Sequence, residues 1–186
     1  CLTFSFGFRM PNVPDMMDRI CDKFSENDLL KNPLLDIVRS QQSSMGQMTQ
    51  NELEYLKEKI FEQLQNSTVI EDAIVSLMSE PKYPENIPEA EAIGTGDLEE
   101  ALEQGYLLML EPASRLLYTD QDGELLFWAN GESICISAQF APHLKKLADG
   151  QAIDLNETLF DQDILEDIAQ LMNESVLMLL PADSEE

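Results

Sequence analysis

Histidine is almost absent from this sequence, and its scarcity limits the possible chemistry more than any other feature. The 186 residues include one histidine, His143, so a single chain cannot supply the two histidines of a typical non-haem iron or zinc site. The sequence also lacks the GxGxxG, P-loop and GxSxG motifs. Acid pairs such as Asp161 and Asp163 are commonplace in a chain so rich in carboxylates. We therefore expect no catalytic residue and no metal ligand in these residues.

Cysteines and long apolar runs are also scarce. Cys1, Cys21 and Cys135 are an odd number at unrelated spacings, which predicts neither a disulfide framework nor a CxxC metal or redox site. No apolar run is long enough to span a bilayer, and the first residues lack the basic flank and cleavage site of a signal peptide. With 44% hydrophobic residues, the chain can still build real cores. We interpret it as a globular, cytoplasmic protein without membrane contact.

Positive charge is the third deficit. Eleven lysines and arginines stand against 36 acids, for a formal net charge of -25 and a pI near 4.1. Such a field repels phosphate backbones and attracts basic proteins. Nucleic acid is therefore an unlikely partner on charge alone. The alternative is that the acids only keep the surface soluble, so the charge predicts the sign of a partner and not its identity.

The chain opens with the run CLTFSFGFRMP, in which apolar and small or polar residues alternate from residue 2 to residue 8. Period-two alternation is typical of a strand with one apolar face. A lone strand cannot bury four large apolar side chains or complete its hydrogen bonds. We therefore expect partner strands upstream of these residues.

Three helices are predicted next, over about Val13–Ser25, Asn51–Gln65 and Val69–Ser79. Thr49 and Glu52 form a capping box in front of the second. The apolar stripes of the second and third helices need cover, and a symmetry mate would provide it. A compact monomeric bundle is the alternative. The candidate residues of a homodimer interface are Leu53, Leu56, Ile60, Leu64, Ile70 and Ile74.

Residues 81–96 are rich in proline and acids and have no periodicity, which predicts a linker. After it, a helix, strand-like runs separated by the tight-turn sequences DQDG and ANGE, two helices and a closing strand are typical of a winged-helix unit. From Tyr83 onward the basic residues are only Arg115, Lys145 and Lys146. A phosphate-binding face needs clustered cations, so a protein contact suits this unit better than DNA.

The run Thr3–Arg9 followed by a helix, together with the segment from DLEEALEQG to WANGES, resembles the ribosomal oxygenases of the cupin-4 branch of the JmjC family. The likeness is to bacterial enzymes that hydroxylate an arginine of a large-subunit ribosomal protein. It implies that the chain begins after the last iron-binding histidine of the catalytic barrel. Fe(II) and 2-oxoglutarate are implied for the parent protein, and no cofactor is expected in this part of it.

The resemblance also suggests roles for individual residues. Thr3 and Ser5, on the small polar face of the first strand, would line the 2-oxoglutarate pocket. Met16 and Met17, where the chain leaves the barrel, would border the substrate groove, although a place in the core of a helix is the alternative for both.

The expected fold is therefore α+β. Residues 1–12 would be the remnant last strand of a double-stranded β-helix, residues 13–80 a helical dimerisation domain, and residues 97–186 a winged-helix-like domain beyond the linker. The expected function is that of the C-terminal part of a ribosomal oxygenase, a homodimer whose parent acts on a basic ribosomal protein. The alternative is a non-enzymatic dimeric winged-helix regulator or adaptor.

Overall fold

Helices predominate in the first part of the chain, whereas strands and helices mix in the second. The computed structural model describes residues 11–26, 46–65, 68–154 and 161–181. They belong to two units, Cys1–Ile74 and Val75–Glu186, whose boundary falls inside a helix. The α+β class predicted from the sequence is confirmed. The strand predicted at residues 2–8 lies outside the described residues.

The first unit contains helices α1 (Val13–Glu26) and α2 (Gln50–Gln65) and the first half of α3 (Val69–Ser79). Asn12 caps α1, because its Oδ1 accepts a 2.9 Å hydrogen bond from the Asp15 N–H. The capping box at the start of α2 is present: the Thr49 N–H donates to Glu52 Oε2 over 2.7 Å, and the Glu52 N–H donates to Thr49 Oγ1 over 3.3 Å.

The second unit, Val75–Glu186, contains the remaining elements and is called the winged-helix unit below. Its helices are α4 (Thr95–Gln104), α5 (Ala141–Ala148) and α6 (Gln162–Asn173). Its strands are β1 (Tyr106–Leu110), β2 (Leu116–Gln121), β3 (Glu124–Ala129), β4 (Glu132–Ile134), β5 (Ile153–Asp154) and β6 (Leu177–Pro181). They form two antiparallel sheets in the described part of the chain, ordered β5-β1-β6 and β2-β3-β4.

Two tight turns set the register of the second sheet. Asp122-Gly123 joins β2 to β3 and Asn130-Gly131 joins β3 to β4, and all four residues have positive φ. Positive φ at both central residues is the geometry that suits the twist of a hairpin, which is why Asn-Gly and Asp-Gly sequences favour it. The predicted hairpins are therefore present.

The core of the second unit lies between its helices and sheets. Fully buried side chains include Leu108 of β1, Phe127 of β3, Phe140 before α5 and Ile168 of α6. The sequence predicts a strand over Glu132–Ser137, but strand β4 ends at Ile134, three residues earlier. Ser137 has left the ladder because its N–H donates to Asp167 Oδ2 over 2.8 Å and its carbonyl accepts the Ala141 N–H at the start of α5.

The segment predicted as a linker belongs to the second unit. It carries a 3-10 turn at Pro84–Asn86, and hydrogen bonds from Ser175 and Asn173 hold its second half. The predicted domain limits themselves stay predictions. Within the described ranges, no helix is both long and apolar enough to cross a membrane.

Candidate interaction surfaces

The predicted pocket and groove residues lie at the start of the chain. Thr3 and Ser5 fall outside the described residues, so their pocket-lining role stays a prediction. On α1, Met16 is half-buried and Met17 is 48% exposed. A methionine side chain is flexible and polarizable and adapts to irregular contacts. The exposure of Met17 is compatible with a groove position, and its role also stays a prediction.

Helix α2 presents apolar side chains to the outside. Leu53 is 39% exposed and Ile60 54% exposed. Residues seven apart lie on one helix face, so these two share a face with half-buried Leu56 and Leu64. We call this set, with Phe61, the α2 apolar face.

Phe61 is 60% exposed and is the one member that the interface prediction omitted. Its neighbour Ile60 falls on the main stripe, whereas Phe61 lies about 100° further around the helix. The large side chain of Phe61 is the sequence feature that could have indicated an interface position, because exposing a phenylalanine to water is unfavourable. On α3, Ile74 is 36% exposed and Ile70 half-buried.

The C-terminal end of α3 is fixed to the β3–β4 turn by buried hydroxyls. Ser76 Oγ donates to the Gly131 carbonyl, and the Gly131 N–H donates to Ser79 Oγ over 3.1 Å. Both serines have no solvent exposure. One nitrogen of the Arg115 guanidinium also donates to the Met78 and Glu80 carbonyls, over 3.2 and 3.1 Å. The bond to the Met78 carbonyl satisfies an acceptor that a helix end leaves without a partner.

Two cations of the winged-helix unit, Arg115 and Lys145, contact other groups of the same unit. Lys145 donates a 2.8 Å hydrogen bond to Asp149 and lies 4.6 Å from the centre of the Tyr118 ring. That hydrogen bond lowers the pKa of the Asp149 carboxyl and raises the pKa of Lys145. Like Arg115, Lys145 contributes to an internal contact rather than to a cluster of phosphate-binding charges.

His143 is the one histidine of the chain. It lies in the first turn of α5, where burial, and to a lesser degree the charge of Lys146, lowers its pKa below the ordinary 6.5. Among the described residues, no group of three or more His, Cys, Asp or Glu side chains is arranged to hold a metal ion. With one histidine in the whole chain, the donor set does not fit an Fe(II) site built on two histidines.

The chain resembles known proteins in both sequence and structure. A family model described as ROXA-like winged helix matches residues 62–178. The chain is 30% identical over 168 residues to a protein of Haemophilus influenzae named probable ribosomal oxygenase, and the match covers 83% of this chain and 40% of that relative. The chain thus corresponds to less than half the length of this curated relative.

Solved structures of YcfD from Escherichia coli have a similar fold. One is 21% identical with a TM-score of 0.76, covering 92% of this chain and 46% of YcfD. Another, described as a ribosomal oxygenase in complex with cobalt and succinic acid, is 22% identical with the same TM-score and covers 92% and 47%. At this identity the likeness establishes the fold alone. It agrees with the α+β, winged-helix architecture predicted from the sequence.

Proposed function

Because this chain belongs to the ROXA-like winged-helix family, we propose that it is the dimerising and winged-helix part of a ribosomal oxygenase. The whole protein would hydroxylate an arginine side chain of a basic ribosomal protein in the cytoplasm. The family match carries this proposal, and the 30% identity to a probable ribosomal oxygenase supports it. Both favour the oxygenase over a non-enzymatic regulator.

The proposed oxygenase would use Fe(II) and 2-oxoglutarate. One solved structure of YcfD is described as a complex with cobalt and 2-oxoglutarate, which supports a metal and this co-substrate for the family. A single histidine cannot supply the iron ligands. We therefore assign the iron ligands to a part of the protein outside these 186 residues.

The proposed roles of this chain are assembly and attraction of the substrate. The exposed apolar side chains of α2 and α3 support a homodimer, since covering them stabilises by about 25 cal/mol per Å² of apolar surface removed from water. The net charge of -25 supports a basic substrate protein, because a field of opposite sign raises encounter rates.

The proposed activity can be tested with two proteins, the 186-residue chain and the product of its full coding sequence. Each is incubated with Fe(II), 2-oxoglutarate and ribosomal proteins, and succinate and the oxygen added to the ribosomal proteins are measured. We expect turnover only from the full product. Iron-dependent succinate formation by the 186-residue chain, or none by the full product, would contradict the proposal.

The substrate-groove role of α1 can be tested in that full product. Replacing Met16 and Met17 by alanine is expected to raise the KM for the ribosomal protein several-fold with little change for 2-oxoglutarate. Met48→Ala is the matched control, because Met48 is a 53% exposed methionine outside the predicted groove. Equal KM values in both variants would remove the groove assignment.

The regulator alternative makes a different prediction about DNA. Arg115 and Lys145 of the winged-helix unit already contact other groups of the same unit. We therefore expect weak binding of duplex DNA, since the release of counterions by clustered cations is missing. Tight, salt-sensitive binding in an anisotropy titration would favour the regulator instead.

A further inference from the structure

A groove runs along the outer side of β6 in the winged-helix unit. One wall is the segment 88–93, which is held at both ends. Ser175 Oγ donates to the Pro88 carbonyl over 2.7 Å, and the Asn173 side chain exchanges two hydrogen bonds with the Ile93 backbone, of 2.9 and 3.1 Å. Between these anchor points lies a cavity of about 470 Å³. The groove is therefore part of the fold and does not depend on a free loop.

The lining of the groove combines an apolar floor with an acidic border. Ile93, Met172, Leu177, Met178 and Leu179 supply apolar surface. The acids are Glu89, Glu91, Asp97 and Glu111. Within the described part of the chain, no lysine or arginine lines it. A ligand with positive charges and some apolar surface would match this lining in both respects.

The groove also borders a sheet edge that can accept another strand. Strand β6 is last in the order β5-β1-β6, and no strand of the described residues pairs with its outer side. The Glu111 N–H donates to the Val176 carbonyl over 2.9 Å, and Met109 pairs with Met178. In an antiparallel ladder the bonding direction alternates. The backbone groups of Leu177 and Leu179 therefore point away from β1.

These outward backbone groups lie on the groove side. Leu177, Met178 and Leu179 line the groove, whereas no residue of β1 itself does. Pro181, which has no N–H, closes the strand. An edge with free donors and acceptors is the structure to which extended peptides add.

We propose that this groove binds an extended peptide rich in lysine or arginine, which adds to the outer edge of β6 as a further strand. The peptide backbone pairs with Leu177 and Leu179, its cations face Glu89, Glu91 and Glu111, and its apolar side chains pack on Ile93 and Met172. This binding involves no catalytic step, so it stands whether or not the proposed oxygenase activity is found.

The test uses the 186-residue chain and a fluorescein-labelled peptide of alternating lysine and valine, followed by anisotropy at low salt. A second peptide carries the same side chains with its internal amides N-methylated, which removes its backbone donors and keeps its charge. We expect the methylated peptide to bind at least about tenfold more weakly, because edge pairing needs those donors. Equal affinity of the two peptides would overturn the proposal.

Charge-matched variants locate the binding. Glu89→Gln with Glu91→Gln removes two exposed groove acids, and Glu99→Gln with Glu103→Gln removes two exposed acids of α4 that do not line the groove. The groove pair is expected to weaken binding about five- to tenfold at low salt and the control pair less than twofold. Equal losses in both variants would mean general charge attraction and would overturn the site.

Amide hydrogen exchange gives a residue-level readout. Bound peptide is expected to slow exchange at Leu177 and Leu179, whose N–H groups face the groove, and to leave Met178 and Leu180 unchanged because they already face β1. Unchanged exchange at Leu177 and Leu179 with saturating peptide would also overturn the proposal.

Discussion

The two units of this protein differ in the solvent exposure of their apolar side chains. In the winged-helix unit, Leu108, Phe140 and Leu144 have no solvent exposure. In the helical unit, Ile60 and Phe61 of α2 are 54% and 60% exposed. The winged-helix unit therefore completes its own core, whereas the helical unit leaves apolar surface that another molecule could cover.

The difference follows from the secondary structure that each unit contains. Two sheets and three helices can enclose side chains from several directions, and α6 alone buries Ile164, Leu165 and Ile168. An apolar helix stripe is buried only if another element lies over it. Such exposed stripes are typical of surfaces that bind a partner, so substitutions in the two units should have different effects.

The largest effect is expected on assembly. Ile60→Asp with Leu64→Asp puts two carboxylates of each subunit on the α2 apolar face, and burying unpaired charges is so costly that we expect dimer affinity to fall at least about 10,000-fold. Light scattering at micromolar concentration should then give the monomer mass. Leu117→Asp is the matched control, because Leu117 is an exposed leucine of β2 and should leave the dimer intact.

Two results would contradict this view of the helical unit. A monomeric mass for the unchanged protein would reject the dimer and favour a monomeric bundle. A dimer that persists in the folded double variant would place the interface outside the α2 apolar face.

A second prediction compares two phenylalanines of opposite exposure. Phe140→Ala should lower the free energy of unfolding by about 3–5 kcal/mol, because it leaves a cavity in a closed core. Phe61→Ala should change it by less than about 0.5 kcal/mol in the monomeric background of the first prediction. Fluorescence of Trp128, the one tryptophan and a buried residue of the winged-helix unit, follows denaturation of that unit, and far-UV circular dichroism also follows the helices of the helical unit. Similar losses would abolish the contrast between the units.

Most of the secondary structure could be predicted from the sequence, because the signals are local. The helix over Val69–Ser79 has the predicted limits, and Asp122-Gly123 and Asn130-Gly131 specify turns by their own φ preferences. The family resemblance rested on similarly local runs of sequence.

The contacts that build the candidate surfaces could not be predicted in this way. Ser76 and Ser79 are small polar residues in a helix, and only the meeting of α3 with a turn more than fifty residues later makes them buried. The outer edge of β6 depends on a strand order that no local pattern contains. The roles of Thr3 and Ser5 stay predictions, since both lie outside the described residues.

The third prediction concerns the link between α3 and the β3–β4 turn. Gly131 has φ 95°, and a Cβ there would lie 3.0 Å from Glu80 Cγ. Gly123 has φ 92° with nothing within 4 Å. We expect Gly123→Ala to cost about 1 kcal/mol for the backbone alone and Gly131→Ala about 2–3 kcal/mol, since it also disturbs the packing against α3. Urea denaturation followed by Trp128 fluorescence compares them, and equal costs would show that this link contributes little.

The smallest effect is expected from His143. Its titration reports whether water reaches the winged-helix core near α5. Burial lowers the pKa of His143 in the folded protein below 6.5. As the pH falls below 6.5, the unfolded chain therefore binds more protons at His143 than the folded protein does, and the folded state loses stability. At higher pH the imidazole is neutral in both states and the loss is absent. His143→Gln removes this loss. The free energy of unfolding of the variant, relative to that of the unchanged protein, should therefore rise as the pH is lowered from about 7.5 to about 5.

The titration of His143 can also be followed directly. As the one histidine of the chain, His143 gives a single imidazole titration by NMR. A midpoint at or above 6.5 would mean that water reaches this side chain and that the core is less closed at α5 than its geometry indicates.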